Sequence, residues 1–267
     1  MSSPEAVNRL VVFADTCGSG QMNIAAKRRT REGMYEAFAK AFASVGVNEG
    51  EMHQEDRGDG ILAALDPGVP SSLMVGRWLS TLYESLREHN TVSATRLRMR
   101  VAMHMGPVVD DGKGLVGRAV DVTCRLCDSE EAKATIARAD GSDLLHVVSD
   151  WLYANVVAEG GRYIEPDHYR QVRVENKEAD ELAWFRVPGL PGPPMTVPPP
   201  ARRAGGGVPA AGPGPLEPAA QHGPGHQVPG TKNQFNVAGD SLYFEGGRFE
   251  NFTGIRKDRP QTGGSEA

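Results

Sequence analysis

Residues 11–20 read VVFADTCGSG, an apolar run that ends in a carboxylate, Asp15, and a glycine-containing turn. A short apolar run closed by glycines is typical of a buried central strand. In residues 26–45, bulky apolar side chains recur at four-residue spacing, which predicts a helix with one face packed on a sheet. The chain is therefore expected to start as strand, turn and helix, with Asp15 at the end of the strand.

The downstream pattern continues to alternate between strands and helices. It predicts, in order, a hairpin (52–55 and 61–65), a helix (71–88), a strand (96–101), a helix (119–127), a strand (144–148), a helix (150–158) and two closing strands (169–174 and 182–187). In residues 96–101 arginines alternate with apolar residues, so this strand is expected to be half-buried and to stop at Gly106 and Pro107. The order favours an α+β domain in which helices cover one side of a sheet.

Composition separates this domain from the rest of the chain. Residues 188–230 hold 13 of the 19 prolines and 10 of the 32 glycines, and no aromatic residue. Such a segment cannot bury enough apolar surface to offset the entropy lost on ordering, so it is predicted to be a disordered linker. We therefore expect a folded domain at residues 1–187 and a linker at residues 188–230.

Charge and cysteine content exclude several functional classes. A formal net charge of −5 argues against a protein that binds nucleic acid by neutralising phosphates, and it disfavours an anionic membrane surface. The three cysteines are too few and too unevenly spaced for a disulfide framework, and neither a signal peptide nor a membrane-spanning run is evident. The expectation is a cytoplasmic protein without nucleic-acid or membrane partners.

Four stretches carry a family resemblance: VVFADTCGSG (11–20), EDRGDGILAAL (55–65), RMRVAMHMGPVV (98–109) and VGRAVDVTCRL (116–126). In this order and at these separations they resemble the successive signatures of the class III nucleotidyl cyclase catalytic domain. The resemblance implies a ferredoxin-like βαββαβ core of the nucleotide cyclase type. It also implies a homodimer whose active sites are built across the interface.

The resemblance further implies that a nucleoside triphosphate is handled with Mg²⁺ or Mn²⁺. In the cyclase reaction the ribose 3′-oxygen attacks the α-phosphorus while pyrophosphate leaves, and two metal ions neutralise the charge. These cations prefer oxygen ligands. Asp15 matches the family's first metal aspartate and Asp59 its second. Each also has a structural alternative, since Asp59 suits a tight turn and Asp15 could cap a helix.

Other positions match family residues that contact the nucleotide. The backbone N–H groups of residues 16–20, including that of Gly18, are expected to cradle phosphates. Arg125 matches the arginine that stabilises the charged transition state, and its alternative is a surface arginine on a helix. Lys177 is a candidate ligand of the polyphosphate, and its alternative is a solvated lysine in a loop.

Two positions bear on specificity and rate. The position that reads the purine, a lysine in adenylate cyclases and a glutamate in guanylate cyclases, falls on Glu55, whose carboxylate can accept hydrogen bonds from guanine. The second base-reading position falls near Gly114. The family asparagine four residues before Arg125 is replaced by Asp121, which when ionised cannot donate a hydrogen bond. The resemblance therefore implies a purine nucleotide cyclase with a degenerate site.

The carboxyl-terminal residues 231–256 change character again. This segment holds four of the eight phenylalanines, at positions 235, 244, 249 and 252, among repeated glycines and asparagines. Aromatic, β-prone sequence of this kind predicts either self-assembly in a cross-β stack or a strand that docks on the edge of the domain's own sheet.

Three functions remain open from the sequence. The chain could be a purine nucleotide cyclase, that is, a phosphorus–oxygen lyase. It could be a non-catalytic nucleotide sensor that signals through its carboxyl-terminal motif, or an adaptor without a ligand. Asp15 and Asp59 favour the first two, and Asp121 favours a sensor over an ordinary adenylate cyclase.

Overall fold

The computed structural model describes residues 5–175, 180–194, 234–237 and 240–243. The chain divides into two compact units, Met1–Gly207 and Val208–Ala267. In the second unit, β9 (Gln234–Val237) and β10 (Asp240–Tyr243) form an antiparallel pair. No helix in the described residues is long and apolar enough to cross a membrane.

The first unit mixes strands and helices in the predicted order. Its described strands are β1 (Val7–Thr16), β2 (Met52–Asp56), β3 (Gly60–Leu65), β4 (Met99–Asp110), β5 (Leu115–Val116), β6 (Leu144–Ser149), β7 (Arg170–Glu175) and β8 (Asp180–Arg186). Its helices are α1 (Ile24–Ser44), α2 (Ser71–Leu73), α3 (Leu79–Val92), α4 (Arg118–Asp128), α5 (Glu130–Arg138) and α6 (Asp150–Leu152). A π-helical turn, Met74–Trp78, joins α2 to α3, and another, Tyr153–Val157, follows α6.

The sheet order places β1 in a central position. The strands run β2-β3-β1-β4-β6-β8-β7, and β5 pairs with the end of β4. Strand β1 is antiparallel to both neighbours, so Asp15 lies opposite Gly60 on one side and Arg100 on the other. A Cβ at Gly60 would lie 2.3 Å from the Ala14 carbonyl oxygen, so only glycine allows this close approach. The hairpin turn before Gly60 is thereby held against the end of β1.

Helices cover both faces of the sheet, and the expectation of one covered face was wrong. Helices α1, α3 and α6 pack on one face around Phe38 and Trp78. Helices α4 and α5 pack on the other face, where Leu126 and Ile136 meet apolar residues of β6 to β8. Strand β6 is buried at all six positions, because a central strand carries apolar residues toward both layers. Helix α5 was not predicted.

Strand β4 differs most from its prediction. It runs through Gly106 and Pro107 to Asp110, with Pro107 paired to Asn8 of β1. It is not half-buried, because it lies in the middle of the sheet beneath α4, and Arg100 is only 7% exposed. The alternation rule applies to a strand with one solvated face, and β4 has none at this point.

His146 gives the core a predicted pH dependence. Its side chain is fully buried, and Nδ1 lies 2.9 Å from the Tyr169 hydroxyl. Burial, with a contribution from Arg186, lowers the pKa of His146 to about 3. Below the ordinary histidine pKa of about 6.5, His146 is therefore protonated in the unfolded chain but stays neutral in the folded chain. We expect the free energy of unfolding to fall by roughly 1.4 kcal/mol per pH unit from about 6.5 downward.

Urea unfolding at pH 7, 6 and 5 tests this expectation. His146→Gln is the matched variant, since its amide can still bond the Tyr169 hydroxyl but does not titrate. Its stability should depend less steeply on pH than that of the wild type. Equal slopes for the two proteins would show that His146 is not held neutral by the core.

Candidate functional site

Asp15 is fixed at the end of β1 by a buried arginine. Its Oδ2 accepts a hydrogen bond from Nη2 of Arg100. Arg100 also donates from Nε to the Cys127 carbonyl at 3.0 Å, and Nη1 lies 3.6 Å from the sulfur of Cys17. Because the guanidinium is bonded on several sides, it positions one oxygen of Asp15. The other oxygen, Oδ1, has no hydrogen bond to any described residue.

The electrostatic environment of Asp15 is mixed. Burial raises the pKa of Asp15, Arg100 opposes that rise, and the like charges of Asp59 and Asp128 add to it. The carboxylate is thus partly desolvated and repelled by a neighbouring carboxylate. A cation shared with Asp59 would relieve that repulsion.

Asp59 lies in the exposed turn between β2 and β3 and is tied to the end of β1. Its carbonyl accepts from the Thr16 N–H at 3.0 Å, and its Oδ2 accepts from the Ser19 hydroxyl. Together with the pairing of Asp15 and Gly60, these bonds bring the two predicted metal aspartates to one edge of the sheet.

The loop after β1 offers fewer donors than expected. The Thr16 N–H is used by Asp59, and the Cys17 N–H donates to the Arg98 carbonyl at 2.8 Å. Within the described residues the N–H groups of Gly18, Ser19 and Gly20 have no partner. Gly18 has a φ of 74°, and successive N–H groups around such a residue form an anion-binding concavity. The structure therefore narrows the candidate phosphate cradle to residues 18–20.

A cavity of about 430 Å³ opens beside Asp59. It lies between the loop after β1, the first turns of α1 and the hairpin turn. Its lining residues are Thr16, Ser19, Met22, Lys27, Thr30, Arg31, Gly58 and Asp59. The volume falls within the range of small-molecule sites, which is about 300–1,000 Å³.

Glu55 is engaged by its own neighbourhood. Its Oε1 accepts from the Leu115 N–H at 2.6 Å and lies 3.3 Å from Nε2 of His53, and its Oε2 is 2.6 Å from Nη2 of Arg57. Gly114 is adjacent, because a Cβ built there would lie 3.0 Å from Oε1 of Glu55. The two predicted base-reading positions are thus neighbours, but both oxygens of the carboxylate already have partners.

Arg125 and Asp121 lie one turn apart on α4. Asp121 is exposed in the first turn, whereas Arg125 is partly buried and forms an ion pair of 3.1 Å with Glu181 of β8. In the described part of the chain, no hydrogen bond or ion pair joins either residue to Asp15 or Asp59. Their catalytic roles stay predictions, and Lys177 lies outside the described residues.

The donor set at Asp15 and Asp59 fits Mg²⁺ or Mn²⁺. Among the described residues no group of three or more His, Cys, Asp or Glu side chains could hold a metal. Two carboxylates are nevertheless the usual protein contribution to a Mg²⁺ site that completes its shell with water and substrate phosphates. The residues present therefore suit a metal that arrives with a triphosphate better than one bound by the protein alone.

Sequence reasoning missed two residues of this site, Arg100 and Ser19. The position of Arg100 was obscured because its strand looked half-buried. The signal that could have revealed it is the central place of residues 98–109 in the sheet. This stretch lies directly opposite residues 13–15 at the end of β1.

Comparison with known proteins defines the class of the fold. No protein-family model matches the chain, and no curated protein matches it by sequence. Among solved structures, it is similar to the guanylyl cyclase Cya2, with 17% identity and a TM-score of 0.50 over 70% of this chain and 95% of that chain. It is also similar to an adenylate/guanylate cyclase/hydrolase from Silicibacter pomeroyi, with 20% identity and a TM-score of 0.51 over 70% of this chain and 99% of that chain.

These likenesses show the fold. The first unit has the α+β fold of these nucleotide cyclase domains. The predicted resemblance to cyclase catalytic domains is confirmed at this level, and the low identities fit a divergent sequence.

Proposed function

We propose that the first unit binds a purine nucleoside triphosphate together with Mg²⁺ or Mn²⁺ and cyclises it weakly or not at all. The observation that carries this proposal is the meeting of Asp15 and Asp59 beside the N–H groups of residues 18–20, which have no partner among the described residues. Paired carboxylates next to a phosphate cradle are the arrangement that a metal–triphosphate complex requires.

Each residue of the site has a physical role in this proposal. Bound metal would supply charge neutralisation on the phosphates. Arg100 orients Asp15, and Ser19 orients Asp59, so both carboxylates are preorganised. The N–H groups of residues 18–20 donate to phosphate oxygens at the edge of the sheet.

Selection of guanine is assigned to Glu55. A carboxylate can accept from the N1–H and N2–H₂ groups of guanine and finds no such pair on adenine. Because Arg57, His53 and Leu115 occupy the carboxylate, guanine must displace at least one of them. Base selection therefore involves a rearrangement around Glu55.

Weak turnover is expected from the side chains of two residues on α4. Asp121 presents a carboxylate where cyclases present an amide donor, and Arg125 is held by Glu181. In the described part of the chain no hydrogen bond or ion pair joins either residue to Asp15 or Asp59. We therefore propose that α4 of a second copy completes the site, and we assign the chain to a homodimer. Lys177 remains a proposed ligand of the polyphosphate.

A second candidate function is a nucleotide sensor without catalysis. The ion pair between Arg125 and Glu181 favours it, because the arginine must break that pair before it can meet a substrate. In this view, a domain at residues 1–187 binds the nucleotide, residues 188–230 link it to the rest of the chain, and residues 231–256 carry the output by self-assembly or by binding a protein.

The experiment that tests the proposed function is a titration of the wild-type protein with a nucleoside triphosphate. Binding is expected with Mg²⁺ or Mn²⁺ and is expected to disappear without the metal.

A further inference from the structure

A groove with a volume of about 600 Å³ separates α1 from β2. Apolar side chains form much of its lining, among them Phe38, Phe42, Val47 and Met52. The lining residues belong to α1, to the connection after it and to β2, and none of them lines the cavity beside Asp59. The groove is therefore separate from the candidate nucleotide site.

The α1 wall of the groove is long and open. Tyr35, Ala39 and Ala43 follow one another at four-residue spacing along α1, and all three line the groove. Ala39 and Ala43 are exposed, and their small side chains leave space above them. Eight residues of helix span about 12 Å, which is the length of roughly four residues of extended chain. The groove thus has the length of a short β-strand.

Strand β2 offers a free backbone edge beside this groove. It is the last strand of the sheet order and pairs only with β3 among the described residues. At one end the Glu51 carbonyl accepts from the Asp66 N–H at 2.7 Å. At the other end the Arg57 N–H donates to the Gly60 carbonyl at 2.9 Å. Because hydrogen-bonded residues alternate along an antiparallel pair, the backbone N–H and C=O of Gln54 point away from β3.

The two faces of β2 differ in polarity. Met52 and Gln54 line the groove on the α1 side. On the opposite face, His53 lies 3.3 Å from the Glu55 carboxylate and 3.1 Å from the Asp110 carboxylate. The side chains of a strand added beside β2 would alternate between these two faces. Apolar side chains would suit the groove, and cationic side chains would complement Glu55 and Asp110.

We propose that β2 and α1 form a docking site for an extended peptide of a partner protein, whose side chains alternate between apolar and cationic. The peptide adds a strand to the free edge of β2 and bonds the backbone groups of Met52, Gln54 and Asp56. Its apolar side chains replace water in the groove. The inference goes beyond the proposed function, because it uses neither of the two candidate metal aspartates.

Calorimetry with three synthetic hexapeptides tests the chemistry of the partner. The probe alternates valine and lysine. One control peptide has glutamate in place of lysine, and the other is the valine–lysine peptide with a methyl group on every amide nitrogen. We expect the probe to bind and each control to bind about 10-fold more weakly. The first control loses the charge complementarity, and the second loses the N–H groups that bond the strand edge.

Two substitutions on α1 test the groove. Ala39→Tyr fills it from an exposed position, so we expect affinity for the probe to fall at least about 10-fold. Ala25→Tyr is the matched control, because Ala25 is exposed on the same helix, lies about 21 Å away along its axis and does not line the groove. It should change the affinity by less than about 2-fold.

Amide hydrogen exchange in the wild-type protein locates the added strand. The probe should slow exchange at Gln54 and Asp56, whereas Glu55, which already pairs with Leu62 of β3, should change little. Absence of probe binding, equal binding of the three peptides, or unchanged exchange at Gln54 and Asp56 would overturn the proposal. Self-association that Ala39→Tyr abolishes, without binding of the probe, would also overturn it and assign this edge to a second copy.

Discussion

Asp59→Asn is expected to abolish metal-dependent triphosphate binding while leaving the fold intact. Asp59 is exposed in the hairpin turn, and asparagine keeps the shape of the side chain and the acceptor for the Ser19 hydroxyl. What it removes is the negative charge that a hard cation needs in its ligand. Loss of a residue that only hydrogen-bonds a metal ligand typically costs about 10–100-fold in metal affinity. For loss of a ligand itself we expect triphosphate affinity to fall by at least about 100-fold.

Asp66→Asn is the control for this variant. Asp66 is an exposed carboxylate beyond the other end of β3, where it accepts from the Gly68 N–H at 2.9 Å. Calorimetric titration with GTP and Mg²⁺ should give near wild-type affinity for Asp66→Asn. Similar affinities for Asp59→Asn and Asp66→Asn would remove Asp59 from the metal site.

Asp15→Asn is expected to cause the same loss of binding with an added cost in stability. Arg100 is buried, and the variant removes the charge of its nearest carboxylate partner, leaving the longer ion pair of 3.9 Å with Asp128. Removing one member of a buried ion pair typically costs about 3 kcal/mol or more. A lowered melting temperature for Asp15→Asn, beside an unchanged one for Asp59→Asn, separates the structural part of the effect from the ligand part.

Asp121→Asn is expected to raise the rate of cyclic nucleotide formation from a very low wild-type level. An amide can donate a hydrogen bond to the ribose oxygen, whereas an ionised carboxylate only accepts and also repels the triphosphate. Restoring one positioned donor is worth about 10²–10³ in rate. Because Asp121 is exposed in the first turn of α4, the substitution should not disturb the core.

The measurement is release of pyrophosphate and cyclic product from GTP or ATP with Mn²⁺. Asp66→Asn, an exposed carboxylate beyond the other end of β3, serves again as the control and should leave the rate unchanged. Robust wild-type turnover, or loss of activity in Asp121→Asn, would instead make Asp121 a working part of a different reaction.

Features with a local cause could be predicted from the sequence. The strand before Asp15, the helix after it and the hairpin around Asp59 follow from apolar periodicity and from glycines in a tight turn. The meeting of Asp15 with Asp59 could be anticipated only through the family resemblance, because it depends on the pairing of β1 with β3.

Features that depend on sheet order could not be read from local pattern. Arg100 looked like a solvent-facing residue until β4 was placed between β1 and β6. From the sequence, the N–H groups of Thr16 and Cys17 looked free. In the structure they donate to carbonyl groups more than forty residues away in sequence. The same applies to Arg125, whose partner Glu181 lies on the penultimate strand of the sheet order.

The central claim is that triphosphate and metal bind together at Asp15 and Asp59. The most direct measurement is calorimetric titration of the wild-type protein with GTP, ATP, CTP and UTP, each with Mg²⁺ and each with excess chelator. The account predicts that the purine triphosphates bind with Mg²⁺, GTP more tightly than ATP, and that this binding disappears with the chelator. Absence of binding for all four nucleotides, or equal binding with and without metal, would contradict it.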